Sequence, residues 1–181
     1  FLTLHVGAGT FKPVTSEQIG DHDMHAEEFF PEIDFLERLR EHLGSNIISV
    51  GTTSMRALES IYWLGVKLHN GENMEHLHVD QWDPYNHYQL PSPAVAITNL
   101  IEFMLKKKVT MIRATTSLII APGYVHRICR GLLTNFHQPR STLLLLVASM
   151  VGEDWKSIYK YALDHDFRFL SYGDGSLLLK S

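Results

Sequence analysis

The stretch "LLTNFHQPRSTLLLLVASMVG", residues 132–152, decides the fold of this chain. A short apolar run, suited to a buried strand, leads into the polar segment "NFHQP", and a long apolar run follows "RST". Ser141 is a favoured helix N-cap and Gly152 a favoured helix stop, so we predict a buried helix between them. Strand, loop and helix in succession are typical of an α/β sheet.

The polar loop of this stretch places Asn135, His137 and Arg140 directly beside the apolar helix. Polar side chains in such a position cost free energy unless they are hydrogen-bonded or face a pocket. Pro139 stiffens the loop and so holds these side chains in place. We interpret the loop as part of a binding or catalytic site. The alternative is an ordinary structured entry into the helix.

The rest of the chain alternates strand-like and helix-like runs, which predicts an α/β fold with a mixed sheet flanked by helices. Strands are predicted at "FLTLHV", "MHAEEFF", "NIISV", "HLHVDQW", "SLIIAPGY", "FRFL" and "SLLLK". A hairpin is predicted in "YVHRICRGLLTNF", residues 124–136, with its turn at Arg130–Gly131. Helices are predicted over residues 34–44 with Asp34 as N-cap, after "GTTSMR", over residues 93–108 with Ser92 as N-cap, and from residue 154.

Composition limits the class of protein. The 181 residues fit a single domain over residues 1–181, and 45% hydrophobic residues are ordinary for a globular protein. A net charge of −4 argues against non-specific nucleic-acid binding but permits a local basic patch. The single Cys129 fits a reducing compartment. We therefore expect a cytoplasmic monomer or weak homo-oligomer that is not associated with a membrane.

Two glycine-containing stretches follow predicted strands. In "HVGAGTF", Gly7 and Gly9 would let backbone amides approach a ligand closely, but taken alone the stretch favours a tight turn or bulge at a strand end. In "SVGTTSMR", a strand delivers Gly51 and the hydroxyls of residues 52–54 to a helix N-terminus, which favours anionic or polar ligand groups. Arg56 could bind a carboxylate or phosphate there. Simple N-capping is the alternative.

Two further stretches carry ionisable groups. His22 and His25 have a spacing that could bind a metal on a helix. A strand would instead place His25 and Glu27 on one face, where they could form a proton-transfer pair. A solvated strand edge is the alternative to both. In "SYGDG", Asp174 could bind ribose hydroxyls or an amine, or simply belong to a turn.

Taken together and in this order, "LHVGAGTFKPV", "DHDMHAEEF", "SVGTTSMRALES", "APGY", "LLTNFHQPRSTLLLLV" and "FRFLSYGDG" resemble the S-adenosylmethionine:tRNA ribosyltransferase-isomerases of queuosine biosynthesis. The resemblance spans residues 4–175. It implies the C-terminal portion of a larger α/β domain, whose N-terminal segment and inserted β-barrel are absent here. Residues 75–116 are longer than the usual connection and suggest an insertion within the domain, as in a divergent branch.

The resemblance implies an activity. The ribosyl moiety of S-adenosylmethionine would be transferred and isomerised onto 7-aminomethyl-7-deazaguanine in the tRNA anticodon, giving epoxyqueuosine and releasing adenine and methionine. S-adenosylmethionine and tRNA would be the partners, with no metal and no permanently bound cofactor. Two other classes stay open, namely a metal-dependent hydrolase that uses His22 and His25, and a non-catalytic RNA-binding relative.

The resemblance also implies roles for residues. His137 is the leading acid–base candidate, Asn135 would orient a polar group of the substrate, and His25 with Glu27 is a second acid–base option. The residues expected to bind the substrates are Gly7, Gly9, Thr10, Phe11, Gly51, Thr52, Thr53, Arg56, Phe136, Arg140, Ser141, Thr142, Tyr172 and Asp174.

Overall fold

A computed structural model describes residues 1–6, 24–139 and 141–180. The strands of this part are β1 (Leu2–His5), β2 (Glu27–Pro31), β3 (Ile48–Val50), β4 (Leu77–Val79), β5 (Ala114–Thr116), β6 (Gly131–Asn135) and β7 (Gly175–Leu179). The helices are α1 (Ile33–Glu41), α2 (Thr52–His69), α3 (Pro93–Lys107), α4 (Thr142–Val151) and α5 (Trp155–Asp164). The predicted α/β class, with mixed sheets flanked by helices, is confirmed.

The strands form two sheets. One has the order β1-β2-β5-β4, in which β4 and β5 are parallel and the other neighbours antiparallel. The second has the order β3-β6-β7, in which β3 and β6 are parallel and β7 is antiparallel to β6. Because β3 and β6 are parallel, their carboxyl ends lie at the same edge, and α2 and α4 both begin there.

Helix α2 is the centre of the fold. Its residues from Met55 to Lys67 are all buried, as expected for a helix that is covered on every side. It packs against α3, which also covers α1. At the crossing with α3, Gly65 lies so close to the Ala96 backbone that a Cβ there would meet the Ala96 carbonyl oxygen at 2.1 Å. The close approach of the two helices therefore requires glycine at this position.

Arg56 ties α2 to the four-stranded sheet. Its Nη1 donates to Glu27 Oε2 at 3.1 Å, in an ion pair whose two side chains are almost fully buried. Its Nε donates to the Leu118 carbonyl and its Nη2 to the Thr116 carbonyl, at 3.1 and 3.4 Å. One turn later, Ser60 Oγ donates to Thr116 Oγ1 at 2.7 Å.

Glu59 ties α2 to the segment that leads into β6. This residue is fully buried, at 0% exposure. Its Oε1 accepts from the backbone N–H groups of Ile128 and Cys129, and its Oε2 accepts from the Arg127 N–H and the Tyr124 hydroxyl, at 2.8–3.0 Å. Burial raises the pKa of the Glu59 carboxyl, while these hydrogen bonds oppose the rise.

Residues 75–116 share the core of the domain. They contribute β4, α3 and β5, and the buried Ile97 and Leu100 of α3 belong to the main hydrophobic cluster. Lys67 of α2 reaches this segment, since its Nζ donates to Asp83 Oδ2 at 2.9 Å. The interpretation of these residues as an insertion stays a prediction.

Helix boundaries agree with the sequence where a cap determines them. Ser141 caps α4 and Gly152 ends it, as predicted. Ser92 caps α3, with its Oγ accepting from the Val95 N–H at 3.3 Å. The prediction for α1 is wrong, because the extended Glu32 is the N-cap and Asp34 lies in the first turn, where its charge complements the helix dipole. That helix also ends at Glu41, before residue 44.

Three predicted strands are wrong. Residues 117–120 of "SLIIAPGY" form no strand. Residues 124–129 of the predicted hairpin form none either, since Glu59 rather than a neighbouring strand accepts from the N–H groups of residues 127–129. Residues 167–170, "FRFL", also form no strand, because Phe167 and Phe169 pack around Phe136 instead.

Over the described ranges, every helix lacks the combination of length and hydropathy that a membrane crossing requires.

The α2–α3 crossing can be tested with Gly65→Ala. A methyl group there would overlap the Ala96 backbone, so we expect the free energy of unfolding to fall by about 1–3 kcal/mol, measured by urea denaturation. Gly44→Ala is the matched control, because a Cβ at that position meets nothing within 4 Å. Equal stability of the two variants would contradict the described crossing.

The Glu59 contacts can be tested with Glu59→Gln. The amide would present N–H donors to backbone N–H donors in a buried site, so we expect a loss of about 1–3 kcal/mol in urea denaturation. Glu153→Gln is the control, since Glu153 is an exposed partner of Lys156 and its replacement should change stability by less than about 0.5 kcal/mol. A Glu59→Gln variant as stable as the control would refute the structural role of Glu59.

Candidate functional site

A cavity of about 590 Å³ lies where the two sheets meet, within the size range of small-molecule sites. Strand β1 and the residue after it contribute Leu4 and Val6. The end of β3 and the start of α2 contribute residues 50–54. The end of β6, the polar loop and the start of α4 contribute side chains between residues 134 and 143. The cavity therefore lies at the carboxyl ends of β3 and β6, where α/β sheets commonly bind ligands.

Two helices begin at this cavity. Gly51 is the N-cap of α2 and has a φ of +88°, which glycine adopts without strain, and its N–H donates to the Leu133 carbonyl at 2.8 Å. Ser141 is the N-cap of α4, where its Oγ accepts from the Leu144 N–H and donates to the Gln138 carbonyl. The structure thus brings Gly51, Thr52, Thr53 and Ser141, four of the predicted substrate-binding residues, to one cavity. The first N–H groups of both helices and both helix dipoles favour an anionic or polar ligand group here.

His137 lines the cavity with a largely buried ring, at 8% exposure. Its Nε2 lies 2.9 Å from Thr134 Oγ1, and its backbone N–H donates to the Tyr159 hydroxyl at 3.1 Å. Burial lowers the pKa of the imidazole to about 4, so the ring is neutral at neutral pH. Within the described residues, Nδ1 has no hydrogen-bond partner. This nitrogen is the one that His137 can offer to a ligand.

Phe136 explains how a polar loop can lie beside an apolar helix. Its ring is buried, and the centroids of Tyr159, Phe167 and Phe169 lie 5.3–5.6 Å away. The backbone carbonyl of Phe136 accepts from the Leu170 N–H at 2.9 Å. Phe136 does not line the cavity. It anchors the loop in an aromatic cluster, and this contact fixes the position of its neighbour His137.

Asn135 holds the loop of residues 171–175. Its Nδ2 donates to the Gly173 carbonyl at 3.1 Å, which brings Leu170 and Ser171 to the cavity. The side-chain oxygen of Asn135 has no donor among the described residues. Because the amide nitrogen already donates to Gly173, Asn135 orders the loop, and its oxygen is the atom that could accept a hydrogen bond from a substrate.

Two predicted residues of the same loop do not line the cavity. Tyr172 is 98% exposed. Asp174 accepts from the Arg168 N–H at 2.7 Å and from Arg168 Nη2 at 3.2 Å, and these hydrogen bonds lower the pKa of its carboxyl. Both carboxylate oxygens of Asp174 thus already have protein donors.

The described lining of the cavity carries no Asp, Glu, Lys or Arg side chain. Its walls combine the apolar Leu4, Val6, Leu143 and Leu170 with the hydroxyls of residues 52–54. Apolar walls suit a flat aromatic ring, and hydroxyls with helix N-termini suit a polar or anionic group. The arrangement fits a ligand that has both parts.

His25, Glu27 and Arg56 lie together, but away from this lining. His25 Nε2 is 3.6 Å from Glu27 Oε1, so their predicted proximity is observed. His25 and Arg56 line a smaller neighbouring cavity, which also contains Thr142. Burial lowers the pKa of the Arg56 guanidinium, and Glu27 opposes this effect. Because Arg56 donates to three protein acceptors, we place it in the structural framework and not in the ligand site.

Six predicted residues lie outside the described part of the chain: Gly7, Gly9, Thr10, Phe11, His22 and Arg140. Among the residues that the structure does describe, no group of three or more His, Cys, Asp and Glu side chains is arranged to hold a metal ion.

Sequence reasoning missed several residues of the site. Thr134 lies only three positions before His137, and its place near the end of a strand could have indicated it. Tyr159 lies 22 positions after His137, so no local pattern could reveal their contact. Leu4 and Leu143 also line the cavity, but they lie in apolar runs that the sequence predicts to be core.

Comparison with known proteins is consistent with this geometry. A sequence profile of the family described as "Queuosine biosynthesis protein" matches residues 1–178. S-adenosylmethionine:tRNA ribosyltransferase-isomerases from Legionella pneumophila (strain Lens) and Halothermothrix orenii are 35% and 36% identical to the chain over 99% of its length. The chain spans only 42% and 41% of these relatives.

A solved structure gives the same result at the level of the fold. The crystal structure of S-adenosylmethionine tRNA ribosyltransferase from Thermotoga maritima matches with a TM-score of 0.56 and 28% identity, over 84% of this chain and 41% of that one. Since the family profile matches nearly the whole chain and the fold agrees, this chain belongs to the queuosine biosynthesis protein family.

Proposed function

We propose that this chain binds S-adenosylmethionine in the cavity between the starts of α2 and α4 and contributes to ribosyl transfer onto tRNA. In the reaction, the ribosyl moiety is transferred and isomerised onto 7-aminomethyl-7-deazaguanine in the anticodon. Epoxyqueuosine forms in the tRNA, and adenine and methionine leave. The observation that carries the proposal is the convergence of two helix N-termini and a neutral His137 on one cavity with apolar walls.

The chemistry of the lining supports S-adenosylmethionine as the ligand. Leu4, Val6, Leu143 and Leu170 offer apolar walls to the adenine ring. The hydroxyls of residues 52–54 can bind ribose hydroxyls, and the N–H groups that begin the helices can bind the methionine carboxylate. In this proposal helix N-termini bind the carboxylate, and Arg56 does not, because it is paired with Glu27.

His137 is placed to act on the reacting part of the ligand. The sulfonium sulfur acidifies the adjacent C5′ protons, and removal of one leads to departure of adenine. A neutral imidazole can contribute in two ways, because Nδ1, which has no described protein partner, can either accept a proton or donate a hydrogen bond to the departing group. Accepting a proton requires the neutral ring that burial favours, and the neutral ring can donate a hydrogen bond only from the nitrogen that carries its proton.

Tyr172 is the residue that we assign to the RNA side. Its ring is almost fully exposed and follows Ser171, which lines the cavity. Exposed aromatic rings recognise single-stranded RNA by stacking on unpaired bases. We propose that Tyr172 stacks on an anticodon-loop nucleotide beside the one that is modified.

The test is adenine release from S-adenosylmethionine with an anticodon stem-loop that carries 7-aminomethyl-7-deazaguanine. We would measure it in a chimera in which this chain replaces the matching segment of the Legionella pneumophila relative. His137→Ala should lower the rate of adenine release by about 10²-fold or more, because it removes the group that acts on the reacting atoms. Binding of S-adenosylmethionine, measured by calorimetry, should change far less.

The control is His42→Ala, since the His42 ring is hydrogen-bonded through Nδ1 to the Arg38 carbonyl of the helix that it caps and lies outside the cavity. That variant should release adenine at the unchanged rate. Unchanged release by His137→Ala would refute its role. Binding of both substrates with no adenine release would favour the non-catalytic RNA-binding alternative, and loss of activity on chelation would favour the metal-dependent one.

A further inference from the structure

We propose that Thr134 is a positioning residue that sets the tautomer of His137, so that His137 presents an N–H donor to an acceptor atom of the substrate. This inference rests on the proposed function. It decides between the two roles left open for His137, since a ring with a proton on Nδ1 cannot accept another proton there while it stays neutral.

Thr134 is held rigidly. It belongs to β6, the central strand of its sheet, and pairs in register with Ser176 of β7. The Ser176 hydroxyl donates to the Thr134 carbonyl at 3.3 Å. The backbone of Thr134 is thus held by β7 on one side, and on the other side the Gly51 N–H holds the carbonyl of the preceding residue, Leu133. Because this strand position is fixed, the Thr134 hydroxyl can determine the orientation of the His137 ring.

The ring and the backbone of His137 are each held by one hydrogen bond. Thr134 Oγ1 lies 2.9 Å from Nε2, and the Tyr159 hydroxyl holds the backbone N–H of the same residue. The aromatic contacts of Phe136 restrain the loop one residue earlier. Little freedom is therefore left for the ring to rotate away from Thr134 and exchange its two nitrogens.

Counting donors and acceptors gives the tautomer. Over the described part of the chain, the Thr134 hydroxyl has His137 Nε2 as its sole hydrogen-bond partner. If Nε2 carried the proton, the hydroxyl would accept it and its own hydrogen would lack a protein acceptor in a buried site, which costs free energy. If the hydroxyl donates to Nε2 instead, both groups are satisfied. The proton of the neutral ring is then on Nδ1, the nitrogen without a described protein partner in a side chain that lines the cavity.

A neutral imidazole that donates a hydrogen bond suits the chemistry of the proposed site. It can bind a ribose oxygen or a ring nitrogen of adenine and stabilise negative charge that develops there. Because burial keeps the ring neutral, it adds no positive charge beside the positively charged sulfonium. The substrate class that this arrangement favours has a lone-pair acceptor at the position facing Nδ1.

The direct test is ¹⁵N nuclear magnetic resonance of the imidazole in this chain at neutral pH without ligand. We expect His137 Nε2 to resonate as an unprotonated nitrogen that accepts a hydrogen bond, and Nδ1 as a protonated one. Thr134→Val keeps the shape of the side chain and removes the hydroxyl, so the tautomer should become mixed or reverse. Thr134→Ser should retain the wild-type tautomer.

A proton on Nε2 in the wild-type chain, or the wild-type tautomer retained in Thr134→Val, would overturn the proposal. Calorimetry with S-adenosylmethionine supplies a separate measurement. Thr134→Val should weaken binding by about 3–10-fold, the value of one hydrogen bond, and Thr134→Ser should not. Because the tautomer is measured without ligand, a failure of S-adenosylmethionine to bind would refute the proposed function and leave the role of Thr134 intact.

Discussion

Two charged side chains one turn apart on α2 hold both sheets of this domain. Arg56 pairs with Glu27 of β2 in the four-stranded sheet, and Glu59 accepts hydrogen bonds from the backbone that leads into β6 of the three-stranded sheet. Burying either charge alone would cost several kcal/mol, so each is tolerated only because its partners are in place. Since the cavity lies where the two sheets meet, its shape depends on these contacts.

The polar loop beside the apolar helix becomes explicable within this framework. Phe136 provides the burial that anchors the loop, and Tyr159 satisfies the backbone N–H of His137. The same burial lowers the pKa of His137, whose side chain lines the cavity with one ring nitrogen that has no described protein partner. A hydrophobic helix and a polar site are therefore parts of one arrangement, in which the helix start and the loop shape the cavity together.

Features with local physical causes could be predicted from the sequence. Caps determine both ends of α4, and the composition of the loop indicated His137 as a site residue. Features that depend on distant partners could not. In the sequence Glu59 is one polar residue of a helix. In the structure its carboxylate accepts the hydrogen bonds that a neighbouring strand would otherwise accept from the N–H groups of residues 127–129. From the sequence, Arg56 is predicted to bind a ligand at a helix start. In the structure it instead pairs with the carboxylate of Glu27, 29 positions earlier, and so supports the fold.

The central claim is that the cavity at the starts of α2 and α4 binds S-adenosylmethionine against His137. The most direct measurement is a crystal structure of this chain with S-adenosylmethionine or a stable analogue bound. The account predicts the ligand in this cavity, with the adenine against Leu143 and Leu170 and an acceptor atom within hydrogen-bond distance of His137 Nδ1. A ligand bound elsewhere on the chain, with this cavity empty, would contradict it.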